Sequence, residues 1–108
     1  MPSWLTRVLA RIHELATLRK VVFARKAARE LELLDLPIDQ EDALEVLRHL
    51  SAEDFSARFM SDLSDEWMYV FKPRVGGLLL YVKVIVRQKC RLISFHKDRG
   101  GDDDEDQE

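Results

Sequence analysis

The sequence has little of the chemistry that disulfides and metal sites require. Its 108 residues include one cysteine, Cys90, and three dispersed histidines, His13, His49 and His96. One thiol can form no disulfide within the chain and cannot build a cysteine-based metal cluster. The histidines lack the close spacing of zinc ligands, and no Ser-His-Asp order is visible. We therefore expect a protein that works without a metal or a cofactor.

Long hydrophobic runs are absent as well. No apolar stretch of the sequence approaches the roughly 20 residues that a membrane-spanning helix needs. The opening stretch, MPSWLTRVLARIHEL, mixes charges into apolar positions at helical spacing, which is not the pattern of a signal peptide. We therefore expect a cytoplasmic protein that has no membrane partner.

The formal net charge of −3 conceals a segregation of charge along the chain. Residues 55–97 hold eight basic and three acidic residues, a net charge of +5, whereas residues 98–108 hold seven acids and one arginine. A basic region of this kind is typical of a surface that binds a polyanion such as a nucleic acid. The same charges would also keep strands near water soluble and protect a sheet edge.

Residues 99–108, RGGDDDEDQE, contain no apolar side chain. Such a segment cannot bury enough surface to offset the entropy that is lost on ordering. The sequence therefore predicts one domain over residues 1–97, large enough for a modest core, followed by a disordered acidic tail over 98–108. The tail is either a solubilising appendage or a weak competitor for a phosphate-binding site.

The periodicity of apolar residues changes from helical to strand-like near Phe55. Before it, the pattern predicts helices at roughly 4–17 and 25–34, and a third helix that Asp39 caps. Strands are predicted at 20–23, 55–62, 66–72, 78–87 and 90–97. The last four, joined by short connections, favour an antiparallel meander. We expect an α+β fold with the helices on one face of a small antiparallel sheet and the other face left for a substrate or partner.

The run Leu78–Arg87 has two contrasting faces. Its even-numbered positions are all aliphatic and are predicted to face the core. Its odd-numbered positions place Tyr81 beside Lys83 on a face that we expect to be partly solvated. The preceding Gly76-Gly77 pair supplies the positive φ angles of a tight hairpin turn.

The last strand, 90–97, places Ser94 and His96 on one face, and Ile93 and Phe95 on the other. The connection before it consists of two polar residues and is too short for anything but a hairpin. Hairpin neighbours on the same face come within side-chain reach of each other. We therefore predict that His96 lies beside Tyr81.

Five segments of the chain stand in a recognisable order and spacing. They are LSAEDF (50–55), Trp67, KPR (72–74), YVKV (81–84) and ISFHK (93–97). Together they resemble the MqsR family of mRNA interferase toxins, closely over roughly residues 50–97 and more loosely over 8–49. The resemblance implies a compact, RelE-like α+β fold, metal-independent cleavage of mRNA, and neutralisation by a cognate antitoxin encoded beside the toxin.

The resemblance also implies an active site. His96 stands where many members have a functional lysine, and Tyr81 has the family's position and identity. Arg58 falls near a third family position, a lysine, with a shift of one residue. RNA cleavage without a metal needs a base for the 2′-hydroxyl proton, an acid for the departing 5′-oxygen, and cations for the phosphate. The candidate catalytic residues are therefore His96, Tyr81 and Arg58.

Residue chemistry alone leaves these roles open. Imidazole has an unperturbed pKa of about 6.5, the nearest to neutrality, so His96 is either a proton-transfer group or a solvated histidine at a strand end. Tyr81 either positions the phosphate, donates a proton, or is a half-buried strand aromatic. The guanidinium of Arg58 would bind a phosphate and would not act as a base. Candidate RNA contacts, or merely solvated charges, are Lys72, Arg74, Lys83 and Lys97.

One position departs from the family pattern. Members often have glutamine after the tryptophan, but here Met68 follows Trp67, and a thioether makes no useful hydrogen bond to a base or phosphate. Two functions remain open: a ribonuclease toxin, and a module of the same fold that binds RNA or an antitoxin but cleaves little or nothing. Growth arrest with loss of mRNA on induced expression would favour the first.

Overall fold

The computed structural model describes residues 1–100, and its elements follow the predicted order. The α-helices of this part of the chain all precede Phe55 and the four long strands follow, which confirms the α+β class. Residues 101–108 lie outside the described residues, so the predicted disorder of the acidic tail stays a prediction. The elements are α1 Ser3–Thr17, β1 Val21–Phe23, α2 Arg25–Glu32, α3 Gln40–Arg48, β2 Phe55–Met60, β3 Trp67–Phe71, β4 Arg74–Val75, β5 Leu78–Val86 and β6 Cys90–Lys97.

The strands form one sheet in the spatial order β1-β6-β5-β3-β2, with β4 paired to the start of β5. Strands β2, β3, β5 and β6 make the predicted antiparallel meander. Strand β1, however, pairs with β6 in parallel, so the sheet is mixed and not purely antiparallel as expected. The cause is topological, because β1 precedes α2 and α3 and reaches β6 only through the long crossover that follows it.

The face of the sheet that packs against α1 and α3, here called the inner face, holds the main core. Leu80, Val82 and Val84 of β5 are fully buried there, in one cluster with Ile12 of α1 and Leu47 of α3. The aliphatic face predicted for β5 is therefore confirmed. Burial of each such side chain contributes roughly 1.5–3 kcal/mol.

The opposite side of the sheet, here called the outer face, is buried where we expected partial solvation. Tyr81, Lys83 and Ile85 are only 2%, 0% and 4% exposed, so that expectation is wrong. A second apolar cluster of Met68, Ile85 and Ile93 covers this side of the strands. Alternation assigned the side chains to the correct face, but it could not show what covers that face.

A β-bulge in β6 decides which way its side chains point. Leu92 and Ser94 pair with successive residues of β5, so Ile93 between them is an extra residue. Ile93 consequently joins the outer cluster while Phe95 lies in the main core, and the prediction that they share a face is wrong. The bulge lets both Leu92 and Phe95 reach the core, which strict alternation forbids for residues three apart.

Helix α2 covers the edge of β6 beyond the point where β1 ends. The amide of Ala24, just before α2, donates to the carbonyl of Leu92 at 2.9 Å. Farther along, the Glu30 carboxylate of α2 accepts a hydrogen bond from the amide of Phe95 at 2.9 Å. Because strand amides point along the plane of the sheet, α2 lies beside this edge and satisfies it.

The hairpin turn that leads into β5 forms where it was predicted. Gly76 and Gly77 have φ angles of +58° and +80°, both in the left-handed region that side chains with a Cβ avoid. Beyond the turn, Arg74 of β4 pairs with Leu79 of β5. The turn therefore fixes the start of β5, and with it the register in which Tyr81 is presented.

Candidate active site on the outer face

Tyr81 and His96 lie directly opposite each other on β5 and β6. Their rings are stacked, with centroids 4.9 Å apart and planes inclined by 9°. Tyr81 is 2% exposed and His96 is 7% exposed. The predicted proximity of the two residues is confirmed, and the phenol ring fixes the plane of the imidazole.

The tautomer of His96 follows from its backbone contact. Nδ1 of the imidazole lies 2.7 Å from the carbonyl oxygen of Lys97. A carbonyl only accepts, so Nδ1 carries the proton and donates it. In the neutral ring Nε2 is then the atom with the lone pair, and it lies 3.4 Å from Nη1 of Arg99. Nε2 is thus the ring atom that can take a proton.

Lys72 brings a positive charge to the same pair of rings. Its Nζ lies 5.9 Å from the centroid of Tyr81 and 3.1 Å from a carboxylate oxygen of Asp98. Asp98 belongs by sequence to the acidic tail, yet its side chain is only 8% exposed and its amide donates to the carbonyl of Leu79 at 2.8 Å. The ammonium beside Tyr81 is therefore already paired with a carboxylate.

Lys83 is buried too deeply in the outer face to contact a phosphate directly. It is 0% exposed, and its Nζ is 5.6 Å from the ring centroid of Phe59. Its cross-strand partner Ser94 is also fully buried and accepts a hydrogen bond from Lys26 Nζ at 2.7 Å. A phosphate could reach Lys83 only after the surrounding side chains had moved.

Arg58 is not brought together with Tyr81 and His96. It pairs across strands with Tyr69, which pairs with Val84 of the inner face, so it points to the opposite side of the sheet. There its guanidinium lies between two indole rings, 3.8 Å from Trp4 and 4.1 Å from Trp67. The position is that of a cation held by aromatic rings.

A cleft of about 520 Å³ opens beside His96, between the end of α2, the start of β5 and the end of β6. Leu33, Leu34 and Leu78 give it apolar walls, and Lys97 and Arg99 are exposed at its rim. The cleft gives solvent a path to the imidazole. Its other charged lining residues are Glu30, Asp35 and Asp98.

Arg74 lies at a different groove from the one beside His96. It is exposed on β4 and lines a space of about 490 Å³ between α3 and the β4–β5 turn. Asp42, Glu45 and Asp54 share that groove with it. Of the four predicted RNA contacts, the structure therefore brings Lys72 and Lys97 close to His96, buries Lys83 and separates Arg74.

Several positions around His96 were not singled out from the sequence. Lys26 and Glu30 of α2 are paired at 2.9 Å and hold β6 through Ser94 and the amide of Phe95. Their spacing of four residues on a helix was a usable signal for the pair, but nothing local indicated that β6 would be the partner. The position of Arg99 was equally invisible, because it depends on where β6 ends.

Residues 1–100 contain neither a metal-binding cluster nor a membrane-spanning helix. No group of three or more histidine, cysteine, aspartate or glutamate side chains in that range is placed to hold a metal ion. None of the helices there has the length and apolar character needed to cross a membrane. The thiol of Cys90 is buried against the core, and burial raises its pKa to about 12.

Comparison with known proteins supports the resemblance of the five segments. A family model described as "Motility quorum-sensing regulator, toxin of MqsA" matches the chain over residues 6–97. The match spans all the helices and strands named above except the first residues of α1. No curated protein matches the chain.

Proposed function

Since the chain belongs to the MqsR family of toxins, and is the toxin of a toxin–antitoxin system with an antitoxin as its partner, we propose that it is an endoribonuclease. It cleaves mRNA in the cytoplasm without a metal. The observation that carries the proposal is the stack of Tyr81 on His96 at the head of a cleft with cations around it. Here an imidazole that can accept a proton lies beside positive charge.

The reaction assigned to this site is an internal transfer of the phosphate. Nε2 of His96 takes the proton of the 2′-hydroxyl, and the 2′-oxygen forms a bond to phosphorus. The bond from phosphorus to the 5′-oxygen breaks, and that oxygen takes a proton from water or from the Lys97 ammonium. The products are a 2′,3′-cyclic phosphate and a 5′-hydroxyl end.

The remaining candidates divide into supporting roles. Tyr81 positions the imidazole through its ring, because its hydroxyl oxygen is buried. Lys72 and Lys97 bind phosphates near His96, whereas Arg74 meets the RNA farther along its path. Lys83 contributes its charge from within the sheet, and Arg58 supports the opposite face. Neither of the last two touches the substrate in this assignment.

The test is cleavage of single-stranded RNA in EDTA, with analysis of the product ends. His96→Ala should lower kcat by roughly 10²–10⁴, the usual share of general acid–base catalysis, with little loss of RNA affinity. The matched control is His49→Ala, because His49 is largely exposed at the end of α3 and should leave turnover unchanged. Dependence on an added divalent metal, or full turnover by a folded His96→Ala protein, would contradict the assignment.

The second candidate, a module that binds RNA or antitoxin without cleaving, is favoured by Met68. This side chain is 5% exposed and packs with Ile85 and Ile93, so it offers the substrate no hydrogen bond. Induced expression separates the two functions. Growth arrest with loss of mRNA supports the ribonuclease, whereas normal growth with intact mRNA supports the binding module.

A further inference from the structure

Arg99 lies within contact distance of the ring nitrogen that would take the proton. Its Nη1 lies 3.4 Å from Nε2 of His96, and it lines the cleft together with Lys97. Arg99 lies outside residues 6–97, the range over which the family model matches. The family match therefore assigns it no role.

The direction of the contact is fixed by chemistry. A guanidinium has only donors, and Nδ1 of His96 already donates to the carbonyl of Lys97. Nε2 must therefore be the acceptor toward Arg99. A guanidinium presents five N–H groups in a rigid fork, so contact with one ring nitrogen leaves the geometry for a phosphate intact.

The reacting part of the RNA has to approach Nε2 of His96 at the position that the Arg99 guanidinium occupies in the free protein. For proton transfer, the 2′-oxygen must approach Nε2 to about 2.6–3.2 Å. In an attack geometry, phosphorus then lies about 3–3.5 Å from that oxygen. The phosphate oxygens therefore come within a few ångströms of Arg99.

One of the neighbouring cations, Lys72, is less available than Arg99. Lys72 is paired with Asp98, a carboxylate that is itself only 8% exposed, whereas Arg99 is exposed at the rim of the cleft. Resting on the proposed function, we infer that Arg99 binds the scissile phosphate. In the free protein the Arg99 guanidinium donates to Nε2 of His96. When RNA binds, its N–H groups donate to the phosphate oxygens instead.

The test compares Arg99→Ala and Arg99→Lys with the wild type and with Lys89→Ala. Lys89 is an exposed cation at the other end of β6 and serves as the matched control. Arg99→Ala should lower kcat/KM by roughly 10²-fold, the order expected for loss of one group that stabilises developing charge. Arg99→Lys should restore part of it, because charge remains but the fork is lost. The thermal unfolding midpoints of the variants should equal that of the wild type, since Arg99 is exposed.

Binding gives a second measurement that does not depend on turnover. The probe is a 2′-O-methyl oligoribonucleotide, which cannot be cleaved by attack of the 2′-oxygen. For Arg99→Ala, the slope of log affinity against log salt should become shallower by about 0.7, the value for one phosphate contact on a single strand. Lys89→Ala should leave both the slope and kcat/KM at the wild-type values.

The outcomes separate this inference from the proposed function. If the wild type cleaves RNA and Arg99→Ala matches it in kcat/KM and in salt slope, the role of Arg99 is overturned and the ribonuclease stands. If the wild type cleaves nothing but Arg99→Ala still reduces the salt slope, the ribonuclease fails and the phosphate contact stands. If neither cleavage nor a change of slope is found, both are overturned.

Discussion

At the scale of single residues, Tyr81 can be tested for what its ring does as distinct from its hydroxyl. Tyr81→Phe keeps the stack on His96 and should retain most of kcat, whereas Tyr81→Leu removes the stack and should lower kcat by at least about tenfold, because a small misplacement of a reacting group is costly. Steady-state kinetics on one RNA substrate measures both. Tyr69→Phe, which alters a hydroxyl on the inner face, is the control. Equal losses for Tyr81→Phe and Tyr81→Leu would show that the hydroxyl matters.

Arg58 was a candidate catalytic residue from the sequence, but in the fold its guanidinium lies between two indole rings. Arg58→Ala removes two cation–π contacts, each worth about 0.5–2 kcal/mol, and should lower the free energy of unfolding by about 1–3 kcal/mol. Its kcat should stay near the wild-type value wherever the variant is folded. Urea denaturation measures the free energy of unfolding, and RNA cleavage by the same preparation measures kcat. If Arg58→Ala lost much of kcat while its free energy of unfolding stayed unchanged, Arg58 would have a role in the reaction after all.

At the scale of elements, an ion pair joins the start of β3 to the end of β5. Glu66 accepts from Arg87 at 2.6 Å and 2.5 Å, and these hydrogen bonds, with one from Ser64, lower the pKa of Glu66 from 4.5 to about 2. A carboxyl whose pKa is lower in the folded state adds stability above its unfolded pKa and loses it as the pH falls. The contribution of Glu66 should therefore fade between about pH 4.5 and pH 2.

The measurement is urea denaturation of the wild type and of Glu66→Gln across that range of pH. The two proteins should differ most near neutrality and converge toward pH 2. High salt should reduce the difference at neutral pH, because the pair is exposed to solvent. A difference that is constant with pH would mean that the substitution acts through packing instead of charge.

Some features of the elements and of the candidate site could be predicted from the sequence. Period-two alternation placed Leu80, Val82 and Val84 in the core and predicted that Tyr81 and His96 would meet, because both follow from side-chain direction along a short hairpin. Family membership, predicted from five ordered segments, is confirmed as well.

Other features depend on contacts far apart in the chain and escaped prediction. The bulge at Ile93 interrupts the alternation that sequence reasoning assumes, and nothing local marks it. The parallel pairing of β1 and the burial of Lys83 depend on distant partners. The side of the sheet on which Arg58 lies relative to His96 could not be predicted, because the register of β2 on β3 cannot be read from either strand alone.

At the scale of the whole molecule, we expect the distribution of exposed charge to decide where the antitoxin binds. We expect the antitoxin to cover or distort the basic region of the sheet, so charge reversal at Arg74 and Lys97, both exposed, should weaken the complex, most strongly at low salt. Lys83→Glu is not informative, because the side chain is fully buried. Titration calorimetry against the antitoxin measures the affinity, with Arg7→Glu on α1 as the control. Unchanged affinity for the Arg74 and Lys97 reversals would place the neutralised surface elsewhere.

The position of β6 in the sheet has a consequence for how the protein is made. Among residues 1–100, β6 is the last strand in chain order, yet it lies between β1 and β5 and carries His96, Phe95 and the bulge. The core cannot close on a nascent chain that stops before it, and pairing between such distant segments makes folding slow. A translation product that stops before β6 thus lacks His96. On the proposed function, fragments that end before β6 should therefore be inactive, because they lack both His96 and a closed core.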